Sequence, residues 1–321
     1  MIDIVIPTYK RPKHLSILLE SIEKQTLLPN KVSIVYAGNE EKYLKKIVQK
    51  YQLNIELFFS TPSLCKQRNI GIKNSEAPYI FLCDDDIELP KNYLEGLFSF
   101  LEKNIDFNIA TGEEYRQDKE KKWHASVSQI NHFQLWYNYL FGLSIYSDLR
   151  APYYQTNFMS KYISRKIIQK GNSISVAGWP RICKFDSPVM KSTIYGLGAS
   201  MIRSNLLRQN LYNEKLPQHG IGDNYEVALN INQRHQKIGI LREYPFKHYK
   251  APSNRVSEPR AYVQRVKELK RVIVTSEYFN VTNRFYFTWS LIGNSLYFLL
   301  KGKIQLFFVN QKVIFSRLLL N

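Results

Sequence analysis

Cysteine, acidic side chains and long hydrophobic runs are all scarce in this 321-residue chain. The three cysteines, Cys65, Cys83 and Cys183, show no paired metal-ligand spacing, so we expect no disulfide framework and a reducing, cytoplasmic compartment. The longest uncharged apolar stretch near the C-terminus, Phe285–Leu300, has 16 residues, whereas a membrane-spanning helix needs about 20. A transmembrane span is therefore not expected. With 44% hydrophobic side chains, the chain can still bury a substantial core.

Acidic residues are also unevenly distributed. The whole chain has 45 Lys and Arg against 27 Asp and Glu, a net charge of +18. Residues 1–114 carry 14 basic and 16 acidic side chains (−2), residues 115–241 carry 17 and 7 (+10), and residues 242–321 carry 14 and 4 (+10). An excess of this size predicts an anionic partner: nucleic acid, an anionic membrane surface or a phosphorylated substrate. Because the excess is regional, we expect that surface to be separate from the N-terminal third.

Strand-like and helix-like patterns alternate along the first 114 residues. Short apolar runs lie at 2–6, 32–36, 55–59 and 79–83. Between them, apolar residues recur at helical spacing, as at Leu15, Leu18, Leu19 and Ile22. This order predicts an α/β fold with a mainly parallel sheet, in which ligands bind beyond the carboxyl ends of the strands.

The remainder of the chain is less regular. Residues 123–147 contain no Asp, Glu, Lys or Arg and many aromatic side chains. They form either a core helix or pair of helices, or a segment that contacts a bulky acceptor or lipid. From residue 285 onward, aromatic and aliphatic residues mix with basic ones, which suits helices lying on an anionic membrane and equally suits helices packed on the preceding domain.

Three consecutive carboxylates, Asp84, Asp85 and Asp86, directly follow the apolar run at 79–83. Adjacent acids repel one another, so the arrangement is easier to understand if a divalent cation, Mn²⁺ or Mg²⁺, binds there. At the edge of an α/β sheet, such a cation could hold a diphosphate. The alternative is a solvated acidic turn before the helix expected near Pro90.

Two further segments provide groups suited to a nucleotide. Pro7–Pro12, after the first strand, contains a hydroxyl (Thr8), an aromatic ring (Tyr9) and basic side chains including Arg11. These can hold a nucleotide by stacking and phosphate contacts. Arg68 lies upstream of the acidic strand and could reach bound phosphates; the alternative places it on an exposed helix face.

Asp223 follows a glycine-flanked turn, Gly220–Gly222, before a predicted helix. It is either the N-cap of that helix or a carboxylate placed to take a proton from a substrate hydroxyl.

In this order and spacing, the segments Ile4–Pro12, Arg68–Gly71, Asp84–Asp86 and Gly196–Arg203 together resemble the family 2 glycosyltransferases of GT-A fold. The resemblance covers roughly residues 1–115 and 190–250. It implies a Rossmann-like, mixed but mainly parallel sheet flanked by helices. It also implies metal-assisted, inverting transfer of a sugar from a nucleoside-diphosphate sugar to an acceptor hydroxyl. The acceptor is expected to be a glycan or a lipid-linked sugar of a bacterial surface polysaccharide.

The resemblance assigns roles by position. Asp84 and Asp86 match the Asp-X-Asp metal and diphosphate motif, and His248 resembles a further metal ligand of some relatives, although a lone histidine is more often structural. The expected nucleotide-sugar-binding residues are Pro7, Thr8, Tyr9, Arg11, Asn39, Arg68, Asp84 and Asp85.

Two departures from the family pattern bear on these roles. The family usually has an acid followed by Asp at the catalytic turn, with the second as the base, whereas this chain has Asp223-Asn224. Asp223 is therefore the expected base, with Glu226 as the alternative. The family often has an Asp after the second strand to bind the nucleobase, where this chain offers Asn39 or Glu40.

The sequence also predicts where the domains divide, and it argues against two other functions. We expect a GT-A domain over residues 1–250, with a nucleotide-sugar-binding half at 1–114 and an acceptor half at 115–250. The basic, aromatic helical region at 251–321 either associates with a membrane or packs on this domain. A basic nucleic-acid-binding protein would leave the acidic strand end unexplained. A nucleotidyltransferase would normally need a glycine-rich loop after the first strand, and Pro7–Pro12 has no glycine. We expect no nucleic-acid partner, and a cytoplasmic protein, free or peripheral at the inner face of the cell membrane.

Overall fold

The computed structural model describes residues 1–118, 120–125, 129–184, 186–194, 198–233, 237–250 and 256–316, without the side chains of residues 232 and 233. Gly196 and Leu197 of the expected acceptor-side segment and the expected domain boundary at residue 251 lie outside these ranges.

The strands, in chain order, are β1 Ile2–Thr8, β2 Lys31–Ala37, β3 Ile55–Ser60, β4 Tyr79–Cys83, β5 Ile87–Glu88, β6 Phe107–Gln117, β7 Trp123–Ala125, β8 Ile145–Ser147, β9 Ser173–Ile174, β10 Pro180–Cys183, β11 Val189–Ser192, β12 Ala199–Arg203 and β13 Lys237–His248. The helices are α1 Pro12–Glu23, α2 Glu41–Val48, α3 Leu64–Lys73, α4 Tyr93–Lys103, α5 His132–Leu140, α6 Pro152–Gln155, α7 Phe158–Lys170, α8 Ser204–Gln209, α9 Asp223–Gln233, α10 Glu258–Thr275, α11 Val281–Leu300 and α12 Ile304–Ile314. The chain is therefore a mixed α/β protein with three helices at its C-terminal end.

Contacts divide the chain into two compact units. The first comprises Met1–Ser126, Ser187–Met190 and Tyr195–Arg255; the second comprises Val127–Asp186, Lys191–Ile194 and Val256–Asn321. This grouping differs from the division expected from the sequence, in which residues 115–250 formed one half of a single domain. Residues of the second unit group together because of aromatic packing: Tyr137 of α5, and Phe141 just after it, pack against α11.

The large sheet contains ten strands among the described residues, in the order β11-β13-β6-β12-β4-β1-β2-β3, with β5 paired to β13 and β7 to β6. β1 is parallel to β2 and β4, and β2 is parallel to β3, whereas β12 is antiparallel to both β4 and β6. The four apolar runs recognised in the sequence all form strands, so the prediction of a mainly parallel α/β sheet is confirmed.

The register of β13 changes along its length. Lys237 to Leu241 pair with β6 in parallel, and the pairing resumes at Phe246 after an irregularity between Leu241 and Phe246. At this point β6 has a glycine, Gly112, at which a Cβ would lie only 1.7 Å from the carbonyl oxygen of Tyr244. The last residues of β13 then pair with β5, His248 opposite Ile87.

Helices α1 and α3 pack in different ways. α1 begins with Pro12 at its first turn and buries the apolar stripe recognised in the sequence. α3 is capped by the Ser63 side chain, which accepts a hydrogen bond from the Lys66 amide, and it buries polar residues, including Gln67 and Arg68. The interpretation of Arg68 as part of an exposed helix face is therefore wrong, because this residue is only 2% exposed.

The second unit packs α5, β8–β10 and the C-terminal helices together. The ring of Phe141, just after α5, stacks on Trp289 of α11 with centroids 4.9 Å apart. The Tyr137 hydroxyl donates to the carbonyl oxygen of Gly293 at 2.6 Å. Close approach here requires glycine, since a Cβ on Gly293 would lie 2.4 Å from Cγ of Phe141. Within the described residues, none of the helices combines the length and apolar character needed to cross a membrane.

Candidate active site

The carboxyl ends of β1 and β4 bring two of the predicted segments together. These strands are parallel neighbours, so Thr8 at the end of β1 lies beside the acidic residues that follow β4. The Thr8 hydroxyl donates to Oδ2 of Asp85 at 2.7 Å. Arg11 Nη1 lies 3.0 Å from Oδ1 of Asp85 and 3.3 Å from Oδ2 of Asp86. The three adjacent carboxylates are thus not a solvated turn, because Asp85 and Asp86 are both buried.

Asp84, Asp86 and His248 form a second group at the same edge. Each offers one ligand atom, and these three atoms lie within 4.8 Å of one another. Asp86 is held by the residue that follows β13, because the Tyr249 amide donates to the Asp86 carbonyl oxygen at 2.9 Å. Two carboxylates and an imidazole are a donor set that suits Mn²⁺, and carboxylates also suit Mg²⁺. The Asp84 side chain keeps 28% of its surface exposed, so the group is open on one side.

A partly buried network that the sequence did not predict orients His248. Nε2 of His248 lies 3.1 Å from Oδ1 of Asp86, and Nδ1 lies 2.5 Å from Oε1 of Glu114. Arg116 donates to both carboxylate oxygens of Glu114, at 2.7 and 2.8 Å. Burial alone would lower the pKa of His248, but its hydrogen bonds with Asp86 and Glu114 raise that pKa to about 9. Burial would raise the pKa of Glu114, whereas His248 and Arg116 lower it to about 2.

Asp85 differs from its two neighbours in the partners that its carboxylate faces, and its pKa is raised. Its carboxylate faces Thr8 and Arg11, whereas Asp84 and Asp86 lie within the group that contains His248. Burial raises the pKa of Asp85 to about 7, against the lowering effects of Arg11 and Thr8. The middle acid therefore ties the end of β1 to the end of β4, while the outer two converge on one point.

Arg68 links the acidic strand end to the glycine-flanked turn. Its Nη2 lies 3.1 Å from Oδ1 of Asp84, and its Nη1 makes an ion pair with Asp223. The Tyr212 ring packs against the guanidinium, whose carbon lies 5.4 Å from the ring centroid. Burial would lower the pKa of Arg68, but the carboxylates of Asp223 and Asp84 raise it above its ordinary value. One buried cation is thus shared by two of the predicted site residues.

Glycine fixes the position of Asp223. Gly220 and Gly222 have φ values of +57° and +91°, and the Asp223 amide donates to the Gly220 carbonyl oxygen at 2.9 Å. Residues with a side chain rarely adopt such positive φ angles, so this turn requires glycine. Asp223 is the first residue of α9 and is buried, whereas Glu226, also in the first turn, is half-buried.

A cavity of about 590 Å³ lies beyond the ends of β2 and β3. It is lined by Tyr36, Gly38, Asn39, Glu41, Lys42, Lys45 and Phe59. The turn that follows β1 adjoins it, since a Cβ on Gly38 would lie 3.3 Å from Cε2 of Tyr9. Glu40 instead accepts a hydrogen bond from the Lys10 amide at 2.8 Å, so of the two candidates for contacting a nucleobase it is Asn39 that lines the cavity.

The structure therefore brings most predicted site residues together within the first unit. Contacts connect Thr8, Arg11, Arg68, Asp84, Asp85, Asp86, Asp223 and His248, while Tyr9 and Asn39 lie beside the neighbouring cavity and Pro7 is buried in β1. Sequence reasoning missed Glu114 and Arg116, and it also missed Gln67, whose side-chain amide donates to the carbonyl oxygens of Thr8 and Val35. These residues carry no motif, and only the pairing of β6 with β13 and of β1 with β2 identifies them.

Comparisons with known proteins give a family model, two curated relatives and solved structures. Residues 3–168 match the family model described as Glycosyl transferase family 2. YwdF of Bacillus subtilis, named an uncharacterized glycosyltransferase, is 33% identical over 102 residues, which is 32% of this chain and 38% of YwdF. An uncharacterized glycosyltransferase of Haemophilus influenzae is 27% identical over 110 residues, 34% of this chain and 37% of that protein. The aligned part thus spans well under half of either relative.

Two solved structures share the architecture. The structure of GalNAc-T7 with UDP, GalNAc and Mn²⁺ matches with a TM-score of 0.58 at 14% identity, covering 91% of this chain and 50% of that one. Staphylococcus aureus TarS 1–349 in complex with UDP-GlcNAc matches with a TM-score of 0.53 at 15% identity, covering 91% of this chain and 72% of that one. At these identities the likeness concerns the fold alone.

Proposed function

Because the chain belongs to glycosyl transferase family 2 and has the expected GT-A fold, we propose that it transfers a sugar from a nucleoside-diphosphate sugar to an acceptor hydroxyl. The resemblance found in the sequence is thereby confirmed at the level of family and fold. The observation that carries the proposed activity is the convergence of Asp84, Asp86 and His248 beside the Arg68–Asp223 ion pair. The proposed cation-binding group and the carboxylate of Asp223 thus lie on either side of one buried guanidinium.

Asp84, Asp86 and His248 are proposed to hold a divalent cation, Mn²⁺ or Mg²⁺. Their three ligand atoms converge, and the exposed side of Asp84 leaves room for the oxygens of a diphosphate. When bound, the cation would offset the negative charge that develops on the departing nucleoside diphosphate. Glu114 would hold the imidazole in one orientation through Nδ1, as carboxylates commonly do for metal-binding histidines.

The donor nucleotide is proposed to lie across the ends of β1 and β2. Pro7, Thr8 and Tyr9 would form one wall. The cavity that Asn39 lines adjoins Tyr9 through Gly38. A volume of about 590 Å³ falls within the range of small-ligand sites, roughly 300–1,000 Å³. Uridine-diphosphate sugars are the first donors to test, since the two structural neighbours were solved with UDP or UDP-GlcNAc.

Asp223 is proposed as the base. In a single displacement, the acceptor oxygen attacks the anomeric carbon, the bond to the diphosphate breaks, and the hydroxyl proton moves to the Asp223 carboxylate. The configuration of the anomeric carbon would invert. Arg68 positions this carboxylate through its ion pair, and the glycine turn leaves it little freedom. Glu226, one turn further along α9, is the alternative base.

The acceptor is proposed to be a lipid-linked sugar, with the enzyme cytoplasmic and peripheral at the membrane. The surplus of basic residues supports this, because residues 115–321 carry 31 Lys and Arg against 11 Asp and Glu (17 + 14 against 7 + 4). A phosphorylated lipid and the anionic membrane that carries it both complement such a surplus.

The test uses the purified full chain, Mn²⁺ and a panel of nucleoside-diphosphate sugars, with nucleoside diphosphate release and donor affinity as readouts. We expect Asp223→Asn to lower the transfer rate by about 10²–10⁴-fold, as loss of a general base does, while donor affinity changes little. The isosteric Glu226→Gln variant tests the alternative base. If Glu226→Gln loses transfer and Asp223→Asn does not, Asp223 is not the base. If the chain binds no nucleoside diphosphate with Mn²⁺, or releases pyrophosphate from a nucleoside triphosphate, the proposed activity is wrong.

A further inference from the structure

Helices α11 and α12 form a hairpin that is apolar on its outer as well as its inner face. On the inner face, Phe287, Leu291 and Phe298 are buried. On the outer face, large apolar side chains remain open to solvent: Leu296, Leu299, Leu300 (84% exposed), Ile304 (55%), Phe308 (62%) and Phe315 (79%). Amphipathic surface helices normally have a polar outer face, so a helix that is apolar all round normally faces something other than water.

The charged side chains within this hairpin are all basic. Residues 278–321 contain no Asp or Glu but five Lys or Arg. Lys301 and Lys303 flank Gly302 at the exposed tip, where the Lys303 amide donates to the Phe298 carbonyl oxygen at 2.8 Å and closes the turn. Exposed apolar side chains therefore lie next to lysines at the tip, with no acid in residues 278–321.

We propose that this hairpin tip, Leu296–Phe308, inserts into the surface of an anionic lipid bilayer. α11 lacks the apolar character to cross a membrane, so the apolar outer side chains would lie at the level of the headgroups and upper acyl chains. The lysines can extend to the phosphate groups while their alkyl stems stay among the lipids. A protein partner is less well matched, because the centres of protein interfaces are depleted in lysine.

The inference rests on the proposed function only in its purpose, which is to bring the enzyme to a membrane-borne acceptor. Its physical content is the exposure and charge of the hairpin, and it can be measured without donor, acceptor or metal.

The experiment is flotation of the full chain with vesicles. We expect flotation with vesicles of phosphatidylglycerol and phosphatidylcholine in equal parts, and little with pure phosphatidylcholine. Leu300→Glu should weaken partitioning by at least about tenfold, since it removes one large apolar side chain and adds a repelled charge. Lys301→Gln and Lys303→Gln should each weaken it by about fivefold, the effect of one cation near an anionic surface.

The matched control is Ile105→Glu. Ile105 is 80% exposed in the turn after α4, and the substitution makes the same change of charge and hydrophobicity away from the hairpin. This variant should float as the unsubstituted chain does, and thermal melting should show that both variants remain folded. The inference is wrong if the unsubstituted chain stays at the bottom with anionic vesicles, or if Leu300→Glu and Ile105→Glu float equally. It is also wrong if Leu300→Glu instead abolishes a concentration-dependent dimer, since the outer face would then cover a second copy. Any of these results would also remove the proposed membrane association, whereas the proposed sugar transfer would be judged separately, by nucleoside diphosphate release.

Discussion

Removing the carboxylate of Asp3 should destabilise the first unit strongly, although this residue lies at the opposite end of β1 from the site. Asp3 is fully buried, and it accepts hydrogen bonds from the Ser75 hydroxyl at 2.8 Å, the Glu76 amide at 2.9 Å, the Ala77 amide at 3.1 Å and the Asn30 side chain at 3.2 Å. Ser75–Ala77 lead directly into β4. Asp3 therefore fixes the start of β4 against β1, and the other ends of these strands carry Asp84 and Thr8.

The magnitude follows from these contacts. Asp3→Ala leaves two backbone amides and a hydroxyl without their acceptor, and each buried unpaired donor costs about 1–3 kcal/mol. With partial relaxation, we expect a loss of about 3–5 kcal/mol in the free energy of unfolding. Asp3→Asn keeps one acceptor oxygen but loses the charge, so about 1–3 kcal/mol is expected.

The stabilisation that the Asp3 carboxylate provides should also depend on pH. Burial would raise the pKa of Asp3, but hydrogen bonds from Ser75, Ala77, Asn30 and Glu76 hold it below its ordinary value of 3.8. A carboxyl with a lowered pKa in the folded state stabilises the fold fully above its unfolded pKa, about 3.9, and loses that contribution as the pH falls through the folded pKa. The difference between the unsubstituted chain and Asp3→Asn should therefore be constant from about pH 7 to 5 and shrink below about pH 4.

Urea unfolding followed by circular dichroism measures these values. The control is Asp106→Asn, whose carboxylate is 66% exposed and paired with Lys237 at the surface, where such pairs are worth about 0–1 kcal/mol. If Asp3→Ala and Asp106→Asn are equally stable, or if the Asp3→Asn difference grows as the pH falls, the hydrogen-bonded carboxylate does not anchor the two strands.

Two further predictions concern other parts of the molecule. Asp86→Asn should weaken Mn²⁺ binding, measured by electron paramagnetic resonance, by at least about tenfold, because losing a ligand should cost no less than losing an outer-shell partner. Asp85→Asn, the neighbouring acid that faces Thr8 and Arg11, should leave Mn²⁺ affinity close to that of the unsubstituted chain, and equal losses in the two variants would contradict the proposed ligand set. Gly293→Ala should destabilise the second unit by about 1–3 kcal/mol in thermal unfolding, because its Cβ would overlap the Phe141 ring. Stabilisation by the better helix former would show instead that α5 and α11 are not closely packed.

The sequence predicts those parts of the fold and site that depend on local pattern. Continuous apolar runs predicted β1 to β4, and the acids after β4 predicted a cluster at the strand ends. Arg68 was harder, since its helix has no apolar stripe, and its burial depends on two carboxylates that come from distant segments. Glu114 could not be predicted, because its contact with His248 is set by the register of β6 and β13. The grouping of residues 127–186 with the C-terminal helices likewise depends on long-range aromatic contacts.

Because of the irregularity in β13, the geometry of the site depends on the number of residues in the second half of this strand. Ile238–Leu241 pair regularly with β6, and the departure from that register before Phe246 determines where the last residues of the strand fall. Successive side chains of a strand point to opposite faces, so inserting or deleting one residue between Leu241 and His248 would turn the imidazole away from Asp86. The number of residues in this segment is thus as much a part of the site as the histidine itself. Homologous chains that keep the histidine but change this spacing would place its imidazole away from the acidic cluster.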